Sequence, residues 1–330
     1  MVVVALLATR DRPVFSPSVG GAGAPQASSS AAPDRPVPAP SAIPVPRLSR
    51  PHIGEADRQR GHDECMTPDP GQGAFLPKKM FPWGVVHLPR AGGHTGDFGY
   101  DVVVHFHGGE GARKALAPLG TGLVLVGIDR GEGSAAYEQA FPAASTFDAL
   151  KRSITKVLVA ESGKPEAHIR KLALSSWSAG YGAILAILRT SGDEGIDALV
   201  FLDSLHASYV SDTNGRGHYV HAPAIAGVLA FAERATRGEK AMFLSCSQIV
   251  PPNYASTAEV AALLLTKLGT PRIAAPPTDD PLGLLTFTDR GDCHVRNLGG
   301  RDERAHCAHL AYLGDAARDV LVPRWGTVAP

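Results

Sequence analysis

The chain has 330 residues, of which 44% are hydrophobic and 19% charged, enough apolar material to bury the core of one large domain or two small ones. Its 32 Lys and Arg balance its 32 Asp and Glu, so the clustered positive charge that nucleic-acid binding needs is missing and no nucleic-acid partner is expected. The four cysteines, Cys65, Cys246, Cys293 and Cys307, show no C-x-x-C spacing, which argues against a zinc ribbon or a thioredoxin-like centre.

Residues 2–8 (VVVALLA) are apolar but too short to span a bilayer, and Arg10 and Arg12 follow the run instead of preceding it. Residues 1–10 read either as the remnant of a signal peptide or membrane anchor, or as a frayed apolar terminus. Between Asp11 and Arg60 fall 10 of the 27 prolines, many Ala, Ser and Gly, and one aromatic, Phe15. Such a stretch cannot bury enough apolar surface to fold, so residues 11–61 are expected to be a disordered linker and 62–330 the folded domain. A linker of this kind fits an exported protein, whether periplasmic, extracellular or membrane-anchored; a cytoplasmic location is the alternative.

Past His62 the pattern turns globular. Strands are expected at Gly84 to Leu88, Tyr100 to Phe106, Gly122 to Ile128, Leu172 to Ser175, Ala198 to Leu202 and Ala241 to Ser245, with one more somewhere in Leu282 to Val295. Phe147, Leu150, Ile154, Val157 and Leu158 have the spacing of a helix with one buried face. Further helices are expected near 179–188, 222–234, 256–268 and 302–321. The strands are continuous apolar runs, as expected when helices cover both faces, and they alternate with helices. The fold class is α/β, a doubly wound and mostly parallel sheet.

The organising stretch is Lys171 to Ala183 (KLALSSWSAGYGA), where an apolar run stops at Ser-Trp-Ser-Ala-Gly and a helical pattern begins. A strand that turns sharply into a helix can hold one hydroxyl above the sheet in a strained conformation, and such a turn tolerates only small residues two positions to either side. Ser176 and Gly180 fill those positions around Ser178, giving S-x-S-x-G where G-x-S-x-G is commoner, at some steric cost. Upstream, the strand ending at Phe106 runs into His107-Gly108-Gly109-Glu110-Gly111.

These motifs and their order resemble the α/β-hydrolase fold of serine esterases and lipases over about residues 84–322. The resemblance implies Ser178 as nucleophile and an oxyanion hole built from the N–H of Gly109 or Glu110 and that of Ala179. It also implies an acid and then a histidine later in the chain. Asp203 follows the strand after the elbow and is the chosen acid, with Asp279 and Asp280 in reserve, because Ser245 to Thr257 contains no Asp or Glu. His306 is the chosen base, since Asp302 as N-cap would put it in the first turn of the last helix; His309 is read as a packing residue, and His294 is a third candidate.

His105 and His107 have strand spacing for a chelating pair but lack a third ligand placed by motif, and no metal is expected. Gly109-Glu110-Gly111 is too short for a dinucleotide fingerprint, and no cofactor is implied. Cys307 reads as a packed thiol, and Cys65 with Cys293 as the pair to be bridged if the protein is exported. The expected function is a serine hydrolase cleaving a small-molecule or polymeric carboxylic ester; a non-catalytic protein of the same fold that binds a ligand or partner is the alternative. Specificity is expected in the loops Ala207 to His221 and Gly269 to Pro281.

Overall fold

The computed structural model of the chain describes residues 68–211 and 218–326. The stretches read as a leader and a linker, 1–61, lie outside these residues, as does Cys65. In chain order the strands are β1 (Lys79–Phe81), β2 (Gly84–His87), β3 (Gly99–Phe106), β4 (Val124–Ile128), β5 (His168–Trp177) and β6 (Ala198–Leu202). They continue with β7 (Tyr209–Ser211), β8 (His218–Val220), β9 (Ala241–Cys246), β10 (Ile273–Ala274), β11 (Leu284–Arg290) and β12 (Cys293–Leu298). Ten of them form one sheet in the order β1-β2-β4-β3-β5-β6-β9-β12-β11-β10, while β7 and β8 make a separate hairpin.

The six central strands, β4 to β12 in that order, run parallel, and antiparallel strands finish both edges. Every residue of β3, β4, β6 and β9 is buried, which is why these segments read as mostly apolar runs instead of alternating ones. Register aligns Phe106, Ser176, Phe201, Leu244 and Val295 in one row across the sheet. Groups just past this row collect at the carboxyl edge, where an open α/β sheet presents its ligand crevice.

The helices are α1 (Gly109–Leu116), α2 (Ser134–Gln139), α3 (Ala144–Ser162), α4 (Tyr181–Ser191), α5 (Ala226–Thr236), α6 (Thr257–Lys267), α7 (Glu303–Ala308), α8 (Tyr312–Ala316) and α9 (Val322–Trp325). Two buried clusters separate the faces of the sheet. One gathers Phe147, Leu150, Ile154 and Leu158 of α3 with the apolar stripes of α4, α5 and α6. The other packs Ala112 and Leu116 of α1 against Leu313, Ala316, Leu321 and Trp325 near the C-terminus. The sheet is therefore doubly wound, and α1 lies on the opposite face from the helix that follows β5.

Four expectations need correction. The single strand sought in 282–295 is a hairpin of β11 and β12 turning at Gly291, whose φ of 56° and lack of a side chain suit the tight reversal. Polar residues such as Thr286, Thr288, Arg290 and Arg296 break the apolar run there. The final helix is interrupted by a 3₁₀ turn at His309–Ala311 and a π turn at Ala317–Leu321. Cys293 is a free, buried thiol, so it does not pair with Cys65, and Cys307 is disulfide-bonded instead of being a packed thiol. No helix among the described residues is long and apolar enough to cross a membrane.

Candidate active site

Strand β5 stays extended to Trp177 (φ −117°, ψ 148°), and the chain then turns at Ser178 with φ 47°. A non-glycine residue in this left-handed region costs about 1–3 kcal/mol and persists only where its surroundings enforce it. Gly180 is part of that enforcement. A Cβ at this position would collide with the Phe106 carbonyl at the end of β3, so the turn can press against the neighbouring strand only with glycine there. The 3₁₀ turn Ser178–Gly180 leads directly into α4.

Ser176 stands where the commoner motif has glycine, and the structure shows why a hydroxymethyl group fits. It is fully buried with its Oγ 2.7 Å from Ser204 Oγ, and Ser204 donates in turn to the Ser176 carbonyl at 3.1 Å. The second serine ties the ends of β5 and β6 together, and that hydrogen-bonded link offsets the crowding expected from the sequence.

Asp203 lies one residue past β6, 2% exposed and with φ 46°. Its Oδ1 accepts the Ser247 N–H at 2.9 Å and the Thr257 hydroxyl at 2.5 Å, and its Oδ2 lies 2.7 Å from His306 Nδ1. Burial opposes ionisation of this carboxyl, but the imidazoles of His309 and His306 and the hydrogen bonds outweigh it and hold Asp203 below the usual carboxylate range. His309 is itself neutral at pH 7, so at that pH the bonds from His306, Thr257 and the Ser247 N–H sustain the charge.

His306 is carried on α7. Asp302 is the N-cap, its Oδ1 accepting the Ala305 N–H at 2.9 Å, which starts the helix three residues before Ala305. Three residues on, His309 is 1% exposed, with Nδ1 2.8 Å from Ser245 Oγ, and burial pushes its imidazole down to about 4. His294 lies on β12 with Nδ1 2.6 Å from Asp289, away from this cluster.

Ser178, Asp203 and His306 line one cavity of about 340 Å³. Its other walls come from His206, from the loop after β9 (Ser247, Ile249, Pro251 and Tyr254), from Thr257 at the start of α6 and from Arg301, Asp302 and Glu303. That loop was not anticipated as a specificity element. Its signal was positional, since it leaves the carboxyl end of the strand beside β6. Neither of the two loops expected to hold specificity supplies a lining residue. The described residues of Ala207 to His221 are absent from the wall, where β7 and β8 form their own hairpin, and Gly269 to Pro281 is absent because β10 pairs at the far edge of the sheet. Asp279 and Asp280 are likewise not in the cavity wall.

The turn after β3 departs from a simple glycine loop. His107 and Gly108 both have positive φ, 69° and 78°, and Gly109 and Glu110 open α1. Asp129, just past β4, accepts the N–H of Gly108 at 2.7 Å and of Gly109 at 3.3 Å. The Gly109 N–H is thus already engaged, whereas Glu110 and Ala179 occupy first-turn positions whose N–H groups have no intrahelical acceptor. None of these three lines the cavity. His105 and His107 go to different partners: His105 Nδ1 lies 2.9 Å from Ser175 Oγ within the sheet, and His107 Nδ1 lies 2.8 Å from the Tyr137 hydroxyl. No group of three or more His, Cys, Asp or Glu side chains among the described residues is arranged to hold a metal ion.

No protein-family model matches the chain, and no curated protein sequence matches it. Solved structures are similar to it. The enterobactin esterase FES from Shigella flexneri is 15% identical over 77% of this chain and 62% of its own, with a TM-score of 0.42. Est1E from Butyrivibrio proteoclasticus is 10% identical over 77% of this chain and all of its own, at 0.36. The poly(3-hydroxybutyrate) depolymerase LpqC from Bordetella parapertussis is 16% identical over 71% of this chain and 84% of its own, at 0.41. The chain therefore spans about three fifths of the length of the enterobactin esterase. Likenesses this distant carry no functional weight by themselves. The chain's own strand order, with the left-handed turn at Ser178 after β5 and with Asp203 and His306 beyond the carboxyl ends of β6 and β12, makes its fold α/β-hydrolase-like.

Proposed function

We propose that the protein is a serine hydrolase that cleaves a carboxylic ester through an acyl-enzyme intermediate. The observation that carries this reading is the 2.7 Å pair of His306 Nδ1 and Asp203 Oδ2 in a cavity that Ser178 also lines. Asp203 has no proton to give at neutral pH, so the bond fixes the proton of His306 on Nδ1. Nε2 is left with a lone pair to accept the Ser178 proton. Ser178 Oγ then attacks the ester carbonyl, His306 holds the proton as imidazolium beside the Asp203 charge, and the alcohol departs with it. Water repeats the sequence on the acyl group, His306 again taking the proton, and the acid is released.

The negative charge on the tetrahedral intermediate needs donors. We assign them to the N–H groups of Ala179 and Glu110, the latter preferred over Gly109 because Asp129 already occupies the Gly109 N–H. One such donor is worth about 10² to 10³ in rate. The wall of Ile249, Pro251 and Tyr254 suits an apolar substituent, and Arg301 at the rim suits a polar or anionic one. This chemistry calls for no cofactor. The disulfide at Cys307 supports an exported location, since such bonds persist in oxidising compartments.

The test is a panel of nitrophenyl esters with the wild type and Ser178→Ala. Wild-type turnover with a loss of about 10⁴ to 10⁶ in kcat in the folded variant is expected. Absence of turnover across the panel in a folded wild type would favour a ligand-binding protein of the same fold.

A further inference from the structure

Trp177, the residue before the nucleophile, is held in a stack that neither fold nor triad requires. Its indole lies against the His306 ring with centroids 4.8 Å apart and planes 30° apart, and against the His107 ring at 5.1 Å and 8°. Its Nε1–H donates to the His306 carbonyl oxygen at 2.9 Å. A Cβ on Gly108 would press on the same indole and on Leu310, so the cage around the ring has no slack on that side. His107 is held in turn by the Tyr137 hydroxyl, which also accepts the Arg130 N–H at 3.0 Å.

We propose that Trp177 is a positioning residue for His306, fixing the plane of the base by stacking and favouring, through its π face, the positive charge that forms on that ring in the transition state. The inference rests on the reading of His306 as the base. An aromatic face within about 6 Å of a cation attracts it, and the attraction is realised only while the imidazolium exists, so it lowers the barrier instead of tightening substrate binding. Two cations on one indole would compete. Burial lowers the pKa of His107, leaving it neutral. Asp203, His309 and His206 also act electrostatically on His306; burial keeps His309 and His206 neutral, so of these three Asp203 carries the charge.

The test uses the full chain labelled with ¹³C at histidine Cε1, the His306 signal being assigned by its loss in His306→Gln. In the wild type that signal, and the downfield Nδ1 proton held by Asp203, should be shifted by the indole ring current. Trp177→Phe should keep a stack, the Nδ1 proton and kcat within about threefold. Trp177→Leu should broaden that proton into exchange and lower kcat about tenfold, with KM changed less than twofold. An unshifted wild-type His306 signal would overturn the proposal even if both variants failed to fold. So would Trp177→Leu with unchanged kcat and an unchanged Nδ1 proton, or a loss confined to KM. A fully active His306→Gln would instead remove the assignment of the base, and the stacking proposal with it, and is read separately from the Trp177 variants.

Discussion

His306 and His309 stand three residues apart near the same sheet edge, yet the fold gives them opposite surroundings. His306 has 22% of its side chain exposed, lines the cavity and meets a carboxylate; His309 is sealed in the core and meets the Ser245 hydroxyl. For His309, the solvation that a buried imidazolium beside a hydroxyl loses outweighs the attraction of the nearby Asp203 charge, so its imidazole stays neutral. An imidazole between a carboxylate and an open cavity can take a proton and return it. The lesson is that a histidine's role follows from its partner and its access to the cavity, not from its residue type or helix.

The comparison is broken most sharply by substitution. His306→Ala should cost about 10⁵ in kcat, measured on any ester the wild type turns over, with folding confirmed by circular dichroism. Asp203→Asn should follow at about 10⁴, because the amide no longer imposes the required tautomer. His309→Ala should lose less than about tenfold in kcat/KM. It should instead lower unfolding free energy in urea by about 1–3 kcal/mol, since Ser245 loses its partner and a cavity opens. A large catalytic loss at His309 with full activity at His306→Ala would move the base.

Acid sharpens the contrast. Burial pushes His309 down to about 4 in the folded chain against an ordinary value near 6.5, so between these values the unfolded state binds more protons and stability falls as the pH falls. His87 and His105, each pushed down to about 4 by burial, act in the same direction. His309 and His105 each contribute at most about 3.5 kcal/mol, since one pH unit corresponds to about 1.4 kcal/mol, and the less deeply buried His87 contributes less. Asp203, held below the carboxylate range, adds a further loss below its unfolded value of about 3.9. His309→Leu should therefore show a shallower fall in stability from pH 6.5 to 4 than the wild type. The smallest effect expected is that of EDTA, which should change turnover less than about twofold, because the proposed chemistry uses no metal-bound hydroxide.

Much of this framework is legible in the sequence because it rests on local rules. Buried parallel strands are written as apolar runs, the elbow as small residues around Ser178, and the start of α7 as Asp302 three residues before Ala305. The rest depends on partners far along the chain. The hydrogen bond that makes Ser176 acceptable comes from Ser204, the cysteine pairing could not be read from spacing, and the Trp177 stack joins residues 107, 177 and 306. Helix α1 was hidden by its own glycines, which are poor helix formers but leave room for Asp129 and Leu310.

The most direct measurement is the site and stoichiometry of labelling by a fluorophosphonate, read by peptide mass spectrometry. The account predicts one adduct per chain, on the peptide containing Ser178, with labelling slowed by orders of magnitude in His306→Ala and nearly unchanged in His309→Ala. An adduct on another serine, or an unlabelled Ser178 in a folded wild-type protein, would contradict it.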